Sequence, residues 1–469
     1  MHTHNSLPLR TALSGTASGS TRALLTGMLL LGLSACVAET TGPTDDGQPE
    51  RALAGSEPRV VVSIVDSAIN PYHAYFYAGS EIYADMPPSS ITPAVLAELG
   101  VDPQDSVRLT RSGDIEADKA ADAAFWDQVE HGRPYWFEGS NIVAISFCEE
   151  GFRPLEPDVE KSAHGTGVSA ALLKANPEAI LLFVESCAQP EAHEMLYALE
   201  HPAVDIFSFS YNLGLPITEV GAYRAVVELG KLIFQAAGNY LVPVEYQGGP
   251  GSWWTIGVSG IDAEENGQSS TGALLPDFVA GFRDSLPFCN DCETGLVPIG
   301  GTSVSTPQAA GLASKALLEA RRWYGHSGGI RPAEDGELAA MVMDGDRRIR
   351  NWDLRRALEE AAYVEYGPED YAGPSLVVDL PPIGSLPYNP LAPWLQLAWG
   401  DLSTDTDKGV LQEALAHLGL WAATRAKSED YCLYMAEQMR RRQAYGDLRG
   451  QLTGEVVPDP NPYRFCDAD

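Results

Sequence analysis

Hydrophobic positions along the chain alternate between two patterns. Short, nearly continuous β-branched runs lie at residues 60–65, 179–184, 204–210, 231–236 and 254–259. Such runs suit strands of a parallel sheet that is buried on both faces. Between them, residues 169–174 and 220–229 carry helical spacing. Strands alternating with helices predict an α/β fold, a doubly wound, mostly parallel sheet flanked by helices. Residues 114–130 read as an acidic amphipathic helix within a long insertion at about residues 80–140. A small-residue helix is expected over 307–323 and another over 351–362, the latter opened by the capping signal Asn351-Trp352-Asp353. Proline clusters at 381–382 and 387–393 predict a boundary. The expected body therefore covers 59–384, and 385–469 forms a small helical extension whose strongest pattern spans 408–445.

The N-terminal stretch has a different character. Residues 1–35 contain no acidic side chain, and Arg10 and Arg22 precede an apolar run at 23–33. That run suits a signal peptide and is too short to span a bilayer. It leads into Leu33-Ser34-Ala35-Cys36, which resembles the bacterial lipobox, whose cysteine is lipidated and becomes the mature N-terminus. The resemblance implies export, a lipid anchor on Cys36 and a place in the cell envelope on the membrane surface. Residues 36–58, rich in Thr, Gly, Pro and acids, then form a flexible tether.

Charge narrows the partners. With 31 basic against 64 acidic side chains in 469 residues, the formal net charge is −33. Such a surface repels nucleic acid phosphates, so no nucleic acid partner is expected. The apolar fraction of 45% is ample for a large core. Beyond Cys36 there are six cysteines, Cys148, Cys187, Cys289, Cys292, Cys432 and Cys466, which permit three disulfides in an exported chain. Cys289-Asn290-Asp291-Cys292 could be half of a zinc site, but no second CxxC or HxxxH completes it, and a local disulfide is expected.

Four segments carry chemistry, and their order adds to their weight. Ile64-Val65-Asp66-Ser67 places a carboxylate at the C-terminal end of a buried strand, the edge where α/β sheets gather catalytic groups. Alone, it would read as a strand-ending Asp. His164-Gly165-Thr166-Gly167-Val168 sets a histidine at the start of a helix, where it can be held against a carboxylate as a general base. His131 lacks that setting, and His73, His193, His201, His326 and His417 read as surface or loop residues. Gln235-Ala236-Ala237-Gly238-Asn239 is a strand stopping at Gly-Asn, a common turn, but one whose amide could face a developing anion. The string from Gly300 to Gly311, Gly-Gly-Thr-Ser-Val-Ser-Thr-Pro-Gln-Ala-Ala-Gly, brings Ser303 to the head of a small-residue helix, with Pro307 expected in its first turn.

Together these strings resemble the subtilisin (subtilase) family of serine proteases, over roughly residues 58–380. The resemblance implies a serine endopeptidase acting on a peptide or protein substrate, with Asp66, His164 and Ser303 as its triad. It implies an oxyanion hole from Asn239 and the Ser303 backbone, and an S1 pocket walled by Ala236, Ala237 and Gly238. The stretch Ser208 to Gly214 looks like the family's substrate-binding strand, with Ser210 as the matching position. Three departures stand out. Ala68 takes a place where the family usually has glycine. Asp66 and His164 lie 98 residues apart, farther than in compact members, and no folding prodomain fits between Cys36 and the first strand. Calcium stabilises many members, but no loop here carries calcium-ligand spacing, so no cofactor is expected. Two other readings use the same residues: a lipoprotein with the subtilisin fold that binds peptides or a partner without cleavage, and a subtilase that transfers its acyl group to an amine.

Overall fold

In a computed structural model, the described residues are 58–84, 88, 91–148, 152–186, 192–211, 216–239, 255–262, 267–270, 277–324, 330–331, 340–341, 349–365, 377–380, 384–387, 394–398 and 405–418. The expected signal peptide, Cys36, the expected tether up to residue 57, and Cys187, Cys432 and Cys466 lie outside them.

The apolar run at the start of the body becomes β1 (Val61–Asp66), buried along its whole length. Next come α1 (Pro93–Glu98), β2 (Ser106–Val107), α2 (Ile115–Ala121), α3 (Ala123–Trp126), β3 (Pro134–Phe137) and β4 (Ile142–Ser146). The middle of the chain supplies α4 (His164–Ala175), β5 (Ile180–Glu185), α5 (Ala192–Glu200), β6 (Ile206–Phe209), α6 (Pro216–Val227) and β7 (Leu232–Ala236). After these come β8 (Ile256–Asp262), β9 (Gly267–Ser270), β10 (Phe278–Gly281), β11 (Arg283–Leu286), β12 (Val297–Gly300), α7 (Thr302–Tyr324), α8 (Asn351–Ala361) and α9 (Asp405–His417).

One 12-stranded sheet organises these elements. Its centre runs β4, β5, β1, β6, β7, β8, β10, and every pairing among these is parallel. The predicted doubly wound α/β sheet is therefore present. Both faces of the sheet are covered, as a parallel sheet requires. On one side Val62, Ile64, Leu181, Ile206 and Phe234 share a core with α4 and α7 residues such as Leu172, Ala309 and Leu317. On the other, Val65, Phe207 and Ile233 pack with Met195 of α5 and Ala222 of α6.

The insertion is not one long helix. It breaks at Asp122 into α2 and α3, with the Asp114 carboxylate accepting from Ala117 N–H to start α2. Its strands β3 and β2 extend the sheet beyond β4. At the opposite edge, residues 394–398 pair parallel with β10, so the sheet continues past the proline boundary expected near 384. Helix α9 packs on α7 and α8. The rest of the expected helical stretch to 445 lies outside the described residues. Asn351 is the first residue of α8. Its amide donates to the carbonyls of Val226 (2.8 Å) and Lys231 (2.9 Å), tying α8 to the end of α6.

Candidate active site

The C-terminal ends of the central strands carry the candidate residues. Asp66, the last residue of β1, is fully buried. Burying a carboxylate is costly unless its oxygens are hydrogen-bonded, and these are. Oδ1 accepts from Ser67 N–H at 2.7 Å, with Ser67 Oγ at 3.1 Å. His164 Nδ1 lies 2.9 Å from Oδ2 and 3.0 Å from Oδ1. With Nδ1 donating to Asp66, Nε2 is left as the free base. Burial opposes charge on this imidazole, but the Asp66 carboxylate outweighs it and raises the proton affinity above the ordinary histidine value.

His164 opens helix α4, and that helix lies directly on the loop after Asp66. A Cβ at Gly165 would stand 2.2 Å from the Ala68 carbonyl oxygen, so only glycine permits this approach. Ala68 itself needs no glycine here, since the only non-glycine with positive φ among the described residues is Leu155.

Ser303 sits in the first turn of α7, which begins at Thr302, earlier than the sequence suggests. Pro307 is therefore not in the first turn but inside the helix. Proline has no N–H to give the carbonyl four residues back, here that of Ser303. Ser210 Oγ satisfies that carbonyl instead, at 3.0 Å. In return, Ser303 Oγ donates to the Ser210 carbonyl at 3.3 Å and makes no hydrogen bond to His164 in this conformation.

Asn239 follows β7 and is exposed. Its Oδ1 accepts from Thr302 N–H (2.9 Å) and from Thr302 Oγ1 (3.1 Å). A backbone N–H can only donate, so these bonds fix which end of the amide is oxygen and leave Nδ2 free to donate. The Ser303 N–H, in the first helical turn, has no helical acceptor either. Gly301, at φ 144°, lets the chain pass Asn239, where a Cβ would stand 3.3 Å from Nδ2. Ala236 ends β7, Ala237 N–H donates to the Val258 carbonyl (2.9 Å) and Gly238 N–H to Thr302 Oγ1 (3.2 Å). These three thus run from the sheet to the head of α7. Residues 212–214 of the expected substrate-binding strand lie outside the described residues.

A loop at 289–295 ties the candidate segments together. Cys289 and Cys292 form the expected local disulfide, and Cys148 is also disulfide-bonded. Asn70 donates to the carbonyls of Cys289 (3.1 Å) and Cys292 (2.7 Å), holding the loop after Asp66. Asn290 donates to the carbonyls of Asp158 (3.0 Å) and Lys161 (2.9 Å), holding the loop before His164. His73 and His201, expected at the surface or in loops, lie in loops and are buried. His73 lies beside the disulfide, with Nε2 3.1 Å from the Gly295 carbonyl and Nδ1 accepting from Tyr75 N–H. Sequence spacing could not reveal such partners, because His73 and Cys289 are far apart along the chain. The same holds for Tyr211, whose ring lies against His164.

The family model of the subtilases matches residues 57–343, well over half of the chain. The chain belongs to the subtilase family. That membership supports a serine protease type of chemistry for this subtilase. Solved structures similar to it include the prenylagaramide maturation protease PagA (14% identity, 77% of this chain and 94% of that one, TM-score 0.39). Others are a cold adapted subtilisin-like serine proteinase (14% identity, 66% and 84% covered, TM-score 0.36) and the self-cleaved protease domain of PatA (15% identity, 66% and 89% covered, TM-score 0.35). No curated protein matches the chain.

Proposed function

We propose that this subtilase is a serine endopeptidase that cleaves peptide bonds through Asp66, His164 and Ser303. The observation that carries the reading is the buried Asp66 carboxylate on His164 Nδ1, at 2.9 Å, with Ser303 at the head of α7 on the same sheet edge. A χ1 rotation takes Ser303 Oγ off the Ser210 carbonyl and toward His164 Nε2. His164 then removes its proton as Oγ attacks the scissile carbonyl, and Asp66 stabilises the imidazolium. Asn239 Nδ2 and the Ser303 N–H hold the oxyanion. His164 returns the proton to the leaving amine, and water resolves the acyl-enzyme by the same steps in reverse. Ala236, Ala237 and Gly238 wall the pocket for the side chain before the cleaved bond, and Ser210 lines the peptide.

One observation favours a second reading, a peptide-binding protein that does not cut. The Ser303 hydroxyl is engaged with Ser210 rather than with the base. Hydrolysis of a mixed peptide pool separates the two. Cleavage that Asn239→Ala lowers by about 10²–10³ in kcat supports the endopeptidase, since that is the usual cost of losing one oxyanion donor. An intact pool with a folded protein overturns it. An added amine that appears on the acyl product marks the transferase variant of the same chemistry. We place the body at the cell envelope on a lipid carried by Cys36. Metabolic labelling with palmitate that Cys36→Ser abolishes tests this, and equal labelling of both proteins overturns it.

A further inference from the structure

The segment that follows β6 touches all three members of the proposed triad. Ser210 holds Ser303 through their two reciprocal hydrogen bonds. The next residue, Tyr211, meets the other two. Its ring centroid lies 5.3 Å from that of His164, with the planes 57° apart. Its hydroxyl donates to Asp66 Oδ1 at 3.4 Å. The residue is fixed from behind as well, since its carbonyl accepts from Gln235 Nε2 of β7 at 3.3 Å and its ring packs on Phe209, 5.9 Å between centroids. Burial, followed by the Asp66 charge, pushes the Tyr211 hydroxyl well above the ordinary tyrosine range, so it stays protonated and remains a donor.

We propose that Tyr211 is a positioning residue that sets both the tilt and the basicity of His164. The inference rests on the triad reading above. The tyrosine ring covers one flank of the imidazole against water and limits its rocking about the Asp66 hydrogen bond. The hydroxyl works on the partner: an O–H donated to Asp66 disperses the carboxylate charge, and less of it remains to stabilise the imidazolium. Removing the hydroxyl therefore raises the proton affinity of His164. Removing the ring also raises it, by letting water reach the imidazolium, and frees the base from its aligned position.

The groups that act on His164 can be named for each neighbouring element. Among the described residues, β1 and the loop after it contribute Asp66 and the hydroxyl of Ser67, and the segment after β6 contributes Tyr211. The turn before α4 contributes only the uncharged Ser162 hydroxyl, which accepts from the His164 backbone N–H at 3.3 Å. No second acid or base competes for the effect in this set.

The test compares the full chain with Tyr211→Phe and Tyr211→Ala. The His164 Nδ1–H proton, hydrogen-bonded to a carboxylate, gives a low-field NMR signal whose pH titration reports the imidazole directly. Labelling by a fluorophosphonate, followed against pH, reports the nucleophile. Tyr211→Phe is expected to move the titration and the acid limb of labelling to higher pH, with the plateau rate within about threefold. Tyr211→Ala should move both and also lower the plateau rate by about 10–100-fold, as misplacement of a general base does. A tyrosine that merely packs would leave the titration where it is. Identical titrations in all three proteins overturn the inference. Failure of the wild type to label would sink the triad reading, and the His164 titration of the Phe variant would still decide the role of Tyr211. The Phe variant retains the packing on Phe209, so the test survives an Ala variant that does not fold.

Discussion

Substituting Gly165 by alanine isolates the contact on which the Asp66–His164 pair depends. The added Cβ would stand 2.2 Å from the Ala68 carbonyl oxygen, 2.7 Å from Phe183 Cζ and 3.0 Å from the Ala68 carbonyl carbon. Ordinary contact begins near 3.4 Å. The nearest obstacle is backbone, so helix α4 or the loop after Asp66 must retreat by about an ångström. Two energies compete. Alanine in a helix gains about 1 kcal/mol over glycine, and overpacking of this kind costs about 1–3 kcal/mol, so stability falls slightly or stays level. The geometry suffers more. A displacement of about an ångström opens the 2.9 Å hydrogen bond from His164 to Asp66, and misplacement on that scale costs about 10²-fold in rate. Gly167→Ala is the internal control, because its Cβ would meet the side chains of Phe288 (2.9 Å) and Ile299 (3.1 Å). Phe288 is 37% exposed and can swing aside, so less than about tenfold should be lost there. The assay is the fluorophosphonate labelling rate beside a thermal melt. A Gly165→Ala protein that labels within twofold of wild type would refute the reasoning, because it would show that the helix is not seated against the loop.

Three further outcomes follow from buried charges. Arg321 grips Asp205 with two hydrogen bonds, at 2.6 and 2.7 Å, and also holds the Arg59 carbonyl. Arg321→Met should cost about 3–5 kcal/mol in denaturant unfolding by taking the two-pronged partner from that buried carboxylate, and Asp205→Leu added to it should recover part of the loss. Lys161 donates to buried Glu185 at 2.9 Å and to the carbonyls of Arg153 and Glu156 just ahead of His164. Lys161→Met should lower the labelling rate as well as the melting temperature, and an unchanged rate would separate that loop from the site. Glu293 faces Asp118, and burial followed by that neighbour pushes its carboxyl up to about 7. An acid that binds its proton more tightly when folded adds stability at pH below its unfolded value, and that stability is lost as pH rises through the folded one. The melting temperature should therefore decline between about pH 5 and pH 8, and Glu293→Gln should flatten the decline.

What could be read from the sequence divides along a physical line. Strands β1, β5, β6, β7 and β8 were legible because a buried parallel strand leaves a continuous apolar run, and Asp66 because it ends one. His164 and Ser303 were legible because glycines and small residues surround them at helix starts. Contacts made across long separations leave no such trace. Nothing local marks the partnership of Tyr211 with His164, the burial of His73 beside a disulfide, or the use of Asn351 as a bridge between helices. The start of α7 was misplaced because Pro307 signals a first turn, whereas here the carbonyl it frees is taken by Ser210, a partner from another strand. The insertion helix broke because Asp122 spends its carboxylate on Thr110 and Tyr72, interactions invisible to periodicity.

The most direct measurement is fluorophosphonate labelling of purified residues 37–469, with Ser303→Ala in parallel. Labelling that disappears in the Ser303→Ala protein is expected from a serine activated by His164 and Asp66. A folded wild-type protein that takes no label, or a Ser303→Ala protein that labels equally well, would contradict the triad and leave a subtilase that binds peptides without cutting them.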